Sequence, residues 1–319
     1  MIKILELFGG IGSPRKALIN LGIEHKCIDY VEIDEKAVRT YNALFENLYK
    51  PQSVVDYNLT PDIIIHGSPC VDFSSAGKRL GGNVEDKTRS SLMFETLKII
   101  ENLGAWKPKF VIWENVKGVL DKDMIHSFNK YLSKMEELGY TNSFEILNSM
   151  DFGIPQNRNR VYTISILGTK KFNFDNLIRV ETKHISEFLE VTKEEKYIVS
   201  QPSMLKKIPC SDKFIKNNYG CLKIIKDSCF TITTKQVRCP NAGIIKLEDN
   251  RYRYLTEREC WRLMGFEDTD YEKALREHKG TQGKLNGTLY KQAGNSIVVQ
   301  VLEAIFRELL GVDKCENYG

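Results

Sequence analysis

The stretch IKILELFGGIGSPRKAL, residues 2–18, decides how the rest of the chain is read. Its first six residues form a short apolar run expected to be a strand, and a helical pattern opens at Pro14. Between them, Gly9, Gly10 and Gly12 let backbone amides come close to a ligand at a helix N-terminus. A plain tight turn would use the same residues. A P-loop does not fit, because no Gly-Lys-Ser/Thr follows. About twenty residues on, Glu32 ends a second apolar run, where a carboxylate can hydrogen-bond a ribose diol. The two features point to an adenosine-containing cofactor without separating a nicotinamide dinucleotide from S-adenosylmethionine.

Outward from this stretch, the first 170 residues alternate short β-rich runs with helical patterns, which predicts an α/β fold with a mainly parallel sheet. Strands are expected at 2–7, 25–32, 63–66, 110–113, 143–147 and 160–167, and helices near 14–21, 35–47, 90–102 and 124–138. In such sheets ligands bind at the carboxyl ends of the strands, where Glu6, Glu32, Cys70 and Glu114 fall. From about residue 171 the periodicity fades. Residues 200–240 carry eight Lys/Arg against two Asp/Glu, a local net of +6. Order returns in LTERECWRLMGF (255–266), a helix with Thr256 as N-cap and Glu259 three residues on. A last amphipathic helix is expected at 296–310.

Composition narrows the class. With 42% hydrophobic residues among 319, the chain can bury a substantial core, and a net charge of +4 is compatible with a polyanionic partner. The N-terminus does not read as a secretory signal, and no run approaches the ~18 apolar residues of a membrane span. The eight cysteines form no CxxC pair and no metal-like spacing with the five histidines, so no metal is expected.

Four stretches carry candidate chemistry. Cys70 in HGSPCVDFSS (66–75) is either a small packed residue or a nucleophile at the sheet rim, with Pro69 fixing the backbone before it. The following SSAGKRLGGN (74–83) reads as a glycine-hinged loop whose Lys78 and Arg79 could meet phosphates, or as a solvated turn. In VIWENVKGV (111–119), Glu114 emerges from an apolar strand, where a raised pKa would suit a proton donor; an ion-paired strand end is the plain alternative. In FGIPQNRNRVYTI (152–164), Arg158 and Arg160 would share one face of an extended segment, ready for an oxyanion, carbonyl or phosphate, or form a surface pair.

The ordered set of glycine loop, acidic strand end, PC, ENV, QxRxR, LTxRExxRLMGF and QxGN resembles the C5-cytosine-specific DNA methyltransferases of bacteria and phages. The resemblance runs from Glu6 to the helix after Asn295. It implies a Rossmann-like S-adenosylmethionine-dependent methyltransferase domain with a mainly parallel sheet, plus a small irregular β-rich target-recognition domain. The divisions would be 1–170 (catalysis and cofactor), 171–254 (target recognition), 255–291 (hinge and LTxRExxRLMGF helix) and 292–319 (returning C-terminal helix). Cys70 would attack C6 of a flipped cytosine, Glu114 would meet N3 and the exocyclic amine, and Arg160, supported by Arg158, would sit near O2 and a phosphate. For S-adenosyl-L-methionine the resemblance implies Phe8, Gly10, Gly12, Glu32, Ile33, Asp56, Tyr57, Pro69, Asn295 and Ser296. For DNA it implies Lys78, Arg79, Lys235 and Arg238, with Thr231 and Ile232 in place of a Thr-Leu recognition element. The partners implied are double-stranded DNA and, in a restriction pair, a cognate endonuclease; a cytoplasmic monomer is expected, associated with the nucleoid through DNA.

Departures from the pattern are Val71 for a glutamine, Glu6 for an aspartate, Ser13 and Pro14 for a glycine and an aromatic, and Tyr57 for an isoleucine. The competing readings are a tRNA cytosine-C5 methyltransferase, suggested by CFT at 229–231, and a DNA-binding relative without turnover. Adenine amino-methylation would need an Asp/Asn-Pro-Pro-aromatic tetrad, which is absent from the sequence. A nicotinamide oxidoreductase would leave PC, ENV and QxRxR without a role.

Overall fold

The computed structural model describes residues 1–54, 59–67, 92–192, 194–208 and 222–312. A six-stranded sheet in the order β2-β1-β3-β4-β7-β5 organises them. Its strands are β1 (Ile2–Leu7), β2 (His25–Val31), β3 (Ile63–His66), β4 (Phe110–Val116), β5 (Tyr140–Asn148) and β7 (Asn159–Leu167). The first four in chain order run parallel, and β7 lies antiparallel between β4 and β5. This insertion lengthens β4. The apolar run alone predicts an end at Trp113, but the β7 ladder carries β4 on to Val116 and draws Glu114 into the sheet.

Both sheet faces are covered, as near-continuous apolar strands require. On one face Ile4, Ile63, Ile65, Phe110, Ile112 and Ile164 pack with helices α1 (Ser13–Asn20) and α9 (Val299–Leu310). On the other, Leu5, Ile64, Val111, Trp113 and Val161 pack with α3 (Met93–Asn102) and α4 (Ile125–Glu137). Full burial of each such aliphatic side chain stabilises the fold by about 1.5–3 kcal/mol. His66, at the end of β3, belongs to this second layer. It is fully buried, lies flat on Trp113 at 5.7 Å, and its Nε2 is 3.0 Å from the Tyr131 hydroxyl. Burial pushes its pKa down to about 3, so it is a neutral packed residue at physiological pH.

Beyond β7 the chain is irregular. It holds a short helix α5 (Pro202–Leu205), strand β8 (Cys229–Phe230), which pairs with β6 (Gln156–Asn157) just before β7, and the antiparallel pair β9 (Ile244–Lys246) and β10 (Tyr252–Tyr254). Helix α6 (Glu257–Arg262) begins with the capping box that its sequence predicts: Thr256 Oγ1 accepts from the Glu259 amide, and Glu259 accepts from the Thr256 amide. Helix α7 (Asp268–Glu277) packs on α2 (Glu35–Phe45), and α9 packs along α1. QAGN (292–295) closes a separate helix, α8 (Gly287–Asn295), and the last helix begins at Val299 rather than at 296. Among the described residues no helix is long and apolar enough to cross a membrane.

Candidate active site

Strand register builds the site. Ile4, Ile63 and Phe110 share one row across the sheet, and Glu6, Ile65 and Ile112 share the next. Two residues further on, at or just past the strand ends, come Phe8, Gly67 and Glu114, and all three line one cleft. A Cβ placed on Gly67 would lie 3.9 Å from Glu114 Oε2. Across the antiparallel ladder Glu114 faces Tyr162, so Arg160, two residues away, is its diagonal neighbour. Arg160 Nε lies 3.1 Å from Glu114 Oε1, with the two side chains only 15% and 12% exposed. Glu114 therefore does not emerge alone from an apolar wall. It is one half of a sheltered acid–guanidinium pair open to the cleft.

That cleft is lined by Phe8, Gly10, Gly67, Glu114, Asn295 and Ser296. Its rim is the glycine loop. Phe8 holds φ 55, a left-handed conformation that costs a non-glycine residue roughly 1–3 kcal/mol and is concentrated at ligand sites. Gly12 (φ 83) is required twice over, because a Cβ there would lie 2.4 Å from Phe45 and 2.7 Å from Tyr41. At the end of β2, Glu32 Oε1 accepts from the Ile33 and Asp34 amides and Oε2 from the Gly10 amide at 3.1 Å. Ile33 beside it is 77% exposed. On the opposite rim the Ser13 and Ser296 hydroxyls lie 2.9 Å apart, which joins the start of α1 to the end of α8. A left-handed cradle, an acid at the next strand end and a polar C-terminal lip fit an adenosine-containing group.

Behind the loop, Glu6 is fully buried and accepts from the Tyr41 hydroxyl at 2.6 Å, with Cys27 Sγ at 3.6 Å. Burial pushes its carboxyl up to about 7, against the opposing pull of Tyr41, Arg15 and Cys27. Burial likewise raises the Cys27 thiol, which the Glu6 charge reinforces, so Cys27 is a poor nucleophile.

Two residues differ from the sequence expectation. Arg158 and Arg160 do not share partners: Arg160 meets Glu114, and Arg158 meets main-chain carbonyls. Arg158 is 4% exposed, and its guanidinium donates to the carbonyls of Ile232 (3.0 Å), Ser296 (2.7 Å) and Gly294 (3.3 Å). Ile232 is fully buried in the main core, so its side chain is withheld from any groove, and its amide and carbonyl are held by Gln156 and Arg158. Exposure in this segment belongs to Thr234, Lys235 and Arg238, with Thr231 part-exposed and donating to the Asn157 carbonyl. Cys70, Pro69, Asp56, Tyr57, Lys78 and Arg79 lie outside the described residues. Gln156 received no role from the sequence, although its place in QxRxR marked it. Its Oε1 accepts from the Ile232 amide and its Nε2 donates to the Leu263 carbonyl.

Sheet order and helix placement are those of the Rossmann-like S-adenosylmethionine-dependent methyltransferases. The S. pombe Dnmt2 methyltransferase superposes with a TM-score of 0.77 at 22% identity, over 98% of this chain and 99% of that one. At the level of sequence, the chain belongs to the C-5 cytosine-specific DNA methylase family, which it matches over residues 2–311. It is 34% identical to the type II methyltransferase M2.ScrFI of Lactococcus lactis subsp. cremoris, over 97% of this chain and 99% of that protein. The orphan methyltransferase M.SPRI of Bacillus phage SPR is 27% identical over 97% of each chain. S-adenosylmethionine is the methyl donor in this family.

Proposed function

We propose that this chain methylates C5 of a flipped cytosine at a short site in duplex DNA, through a covalent bond between Cys70 and C6. The observation that carries the reading is the Glu114–Arg160 pair. Its carboxylate lines the same cleft as the glycine loop, next to Gly67, three residues before Cys70.

The cytosine ring is a poor carbon nucleophile. Attack of the Cys70 thiolate on C6 pushes electron density to C5 and divides one difficult step into two easier ones. Glu114 would hold N3 and the exocyclic amine as charge builds there, while Arg160 fixes the Glu114 carboxylate and approaches O2. Phe8, Gly10, Gly12 and Glu32, with Asn295 and Ser296, would hold S-adenosylmethionine, which would supply an electrophilic sulfonium methyl group to C5. Loss of the C5 proton to water and expulsion of the Cys70 sulfur would then restore the 5,6 double bond. Flipping the base costs a few kcal/mol, which contacts from the basic 171–254 region would offset. Lys235 and Arg238, exposed on the Thr231–Thr234 side of the cleft, would supply phosphate contacts. The reading places the protein in the cytoplasm, either as the modifying half of a restriction pair or as a solitary enzyme.

The test is expression of the protein and Cys70→Ala in cells without cytosine methylation, followed by base-resolution mapping of 5-methylcytosine. Modification at one short motif, absent with Cys70→Ala, is expected. An unmodified genome from well-expressed wild-type protein would refute the DNA reading, and methylation of tRNA by the pure protein would replace it.

A further inference from the structure

The QxR part of QxRxR does something the chemistry above does not require. Gln156 Oε1 takes the amide of Ile232 at 3.0 Å and Arg158 takes its carbonyl at 3.0 Å, so two buried side chains hold both main-chain groups of one residue. The Arg158 fork then reaches the carbonyls of Gly294 and Ser296, and Gln156 Nε2 reaches that of Leu263. The same junction is closed from the other side by contact of main chains: a Cβ on Gly294 would fall 2.4 Å from both Thr233 C and Thr234 N. Ser296 in turn meets Ser13 at the head of α1, and Asn295 and Ser296 line the cleft.

We propose that Arg158 is a positioning residue that sets the Thr231–Thr234 segment and the Asn295–Ser296 lip of the cofactor site in one frame. By this reading it touches neither DNA nor cofactor, yet binding of each depends on it. The inference rests on the proposed function for the DNA side and on the shape of the cleft for the cofactor side.

The physical reason is the planar guanidinium. A rigid fork satisfies carbonyls from two segments at once, where an ammonium or a shorter amide would reach one and release the other. Releasing either segment leaves buried carbonyls without a donor, so the two would separate rather than adjust. A phosphate contact, the alternative the sequence suggests, would put the guanidinium at the surface, but it is 4% exposed and oriented toward main-chain carbonyls.

Arg158→Gln and Gly294→Ala test this from opposite sides of the junction; the second changes no charge and deletes no hydrogen bond. Three quantities are read on each pure protein: the Kd of S-adenosylhomocysteine by calorimetry without DNA, steady-state kcat and KM on unmethylated genomic DNA, and the salt dependence of DNA binding. Both variants should weaken S-adenosylhomocysteine and raise the KM for DNA by about fivefold or more, with kcat within about threefold of wild type. The slope of log affinity against log salt should not change, whereas loss of a phosphate contact lowers it by about one. A kcat loss of about tenfold or more with both affinities intact would overturn the proposal in favour of direct contact with the base. A slope lowered by one in Arg158→Gln, or weakening on one side only, would also overturn it. Fewer active molecules with unchanged Kd and KM would reduce Arg158 to a stability role. If wild-type protein binds S-adenosylhomocysteine but methylates no DNA, the proposed function fails, and the calorimetric comparison still decides the cofactor side by itself.

Discussion

Glu6→Gln, read as stability against pH, tests the buried polar cluster beneath the glycine loop. Glu6 has no exposed surface, and burial raises its carboxyl from 4.5 to about 7. In the unfolded chain the group ionises near 4.5; in the folded protein it keeps its proton until about pH 7. Between those values the native state binds a proton that the unfolded state has released, so stability falls as pH rises, by about 1.4 kcal/mol per unit. The contribution is complete below pH 4.5, is lost through the window, and stays lost above pH 7. Over the whole interval the loss amounts to about 3 kcal/mol. Glutamine mimics the protonated acid, can still accept from the Tyr41 hydroxyl, and does not titrate. Urea denaturation of both proteins at half-unit steps from pH 4.5 to 8 isolates the effect, because all other titrations cancel in the difference. The variant should gain on wild type through the window by up to about 3 kcal/mol, or roughly 6 °C in midpoint for a chain of this size. A constant offset from a weaker hydrogen bond would not matter, since the slope is what is read. Parallel profiles, differing by a change of under ~0.5 kcal/mol, would refute the reasoning and mean that Arg15 and Tyr41 support the buried carboxylate as well as water does.

Two further outcomes follow from the same geometry. Glu114→Gln keeps the shape and the contact to Arg160 but removes the acid; kcat should fall by about 10²–10⁴-fold while S-adenosylhomocysteine affinity stays within about threefold. An unchanged kcat on DNA would exclude Glu114 from the chemistry. Arg253 and Glu259 form a two-pronged pair at 2.9 and 2.8 Å, with side chains 5% and 0% exposed. Arg253→Met strands the Glu259 carboxylate in the core and should cost about 3–5 kcal/mol in urea denaturation. A cost below 1 kcal/mol would show that the Thr256 and Glu190 amides, which also donate to Glu259, are sufficient to hold it.

Local signals carried much of the fold. Ile63–His66 is a compact run bounded by Asp62 and Gly67, and Ile2–Leu7 runs up to the glycine loop one residue on, so both strands can be read from the string alone. Thr256 and Glu259 announce the start of α6 because a capping box is chemistry within four residues. Helix α8 was not legible. GTLYKQAGN has glycine at its first and next-to-last positions and little apolar periodicity, and it is held from outside, by the Asn286 cap and by Gln292 donating to Lys36 and Thr40 of α2. The length of β4 was not legible either, since its last three residues owe their strand conformation to β7. The residues of the candidate site divide the same way. Order and type of residue singled out Glu114, Arg160 and the glycine loop as chemistry-bearing, because carboxylates, guanidinium groups and glycines are few and their spacing is distinctive. Only the antiparallel register brings Arg160 onto Glu114, and only the docking of α8 on the 230–234 segment turns Arg158 from a ligand-facing arginine into a main-chain clamp across 138 residues of sequence. Sequence reports what each residue can do within a turn or a strand. Which partner it meets is decided by burial and packing over distances that no local pattern encodes.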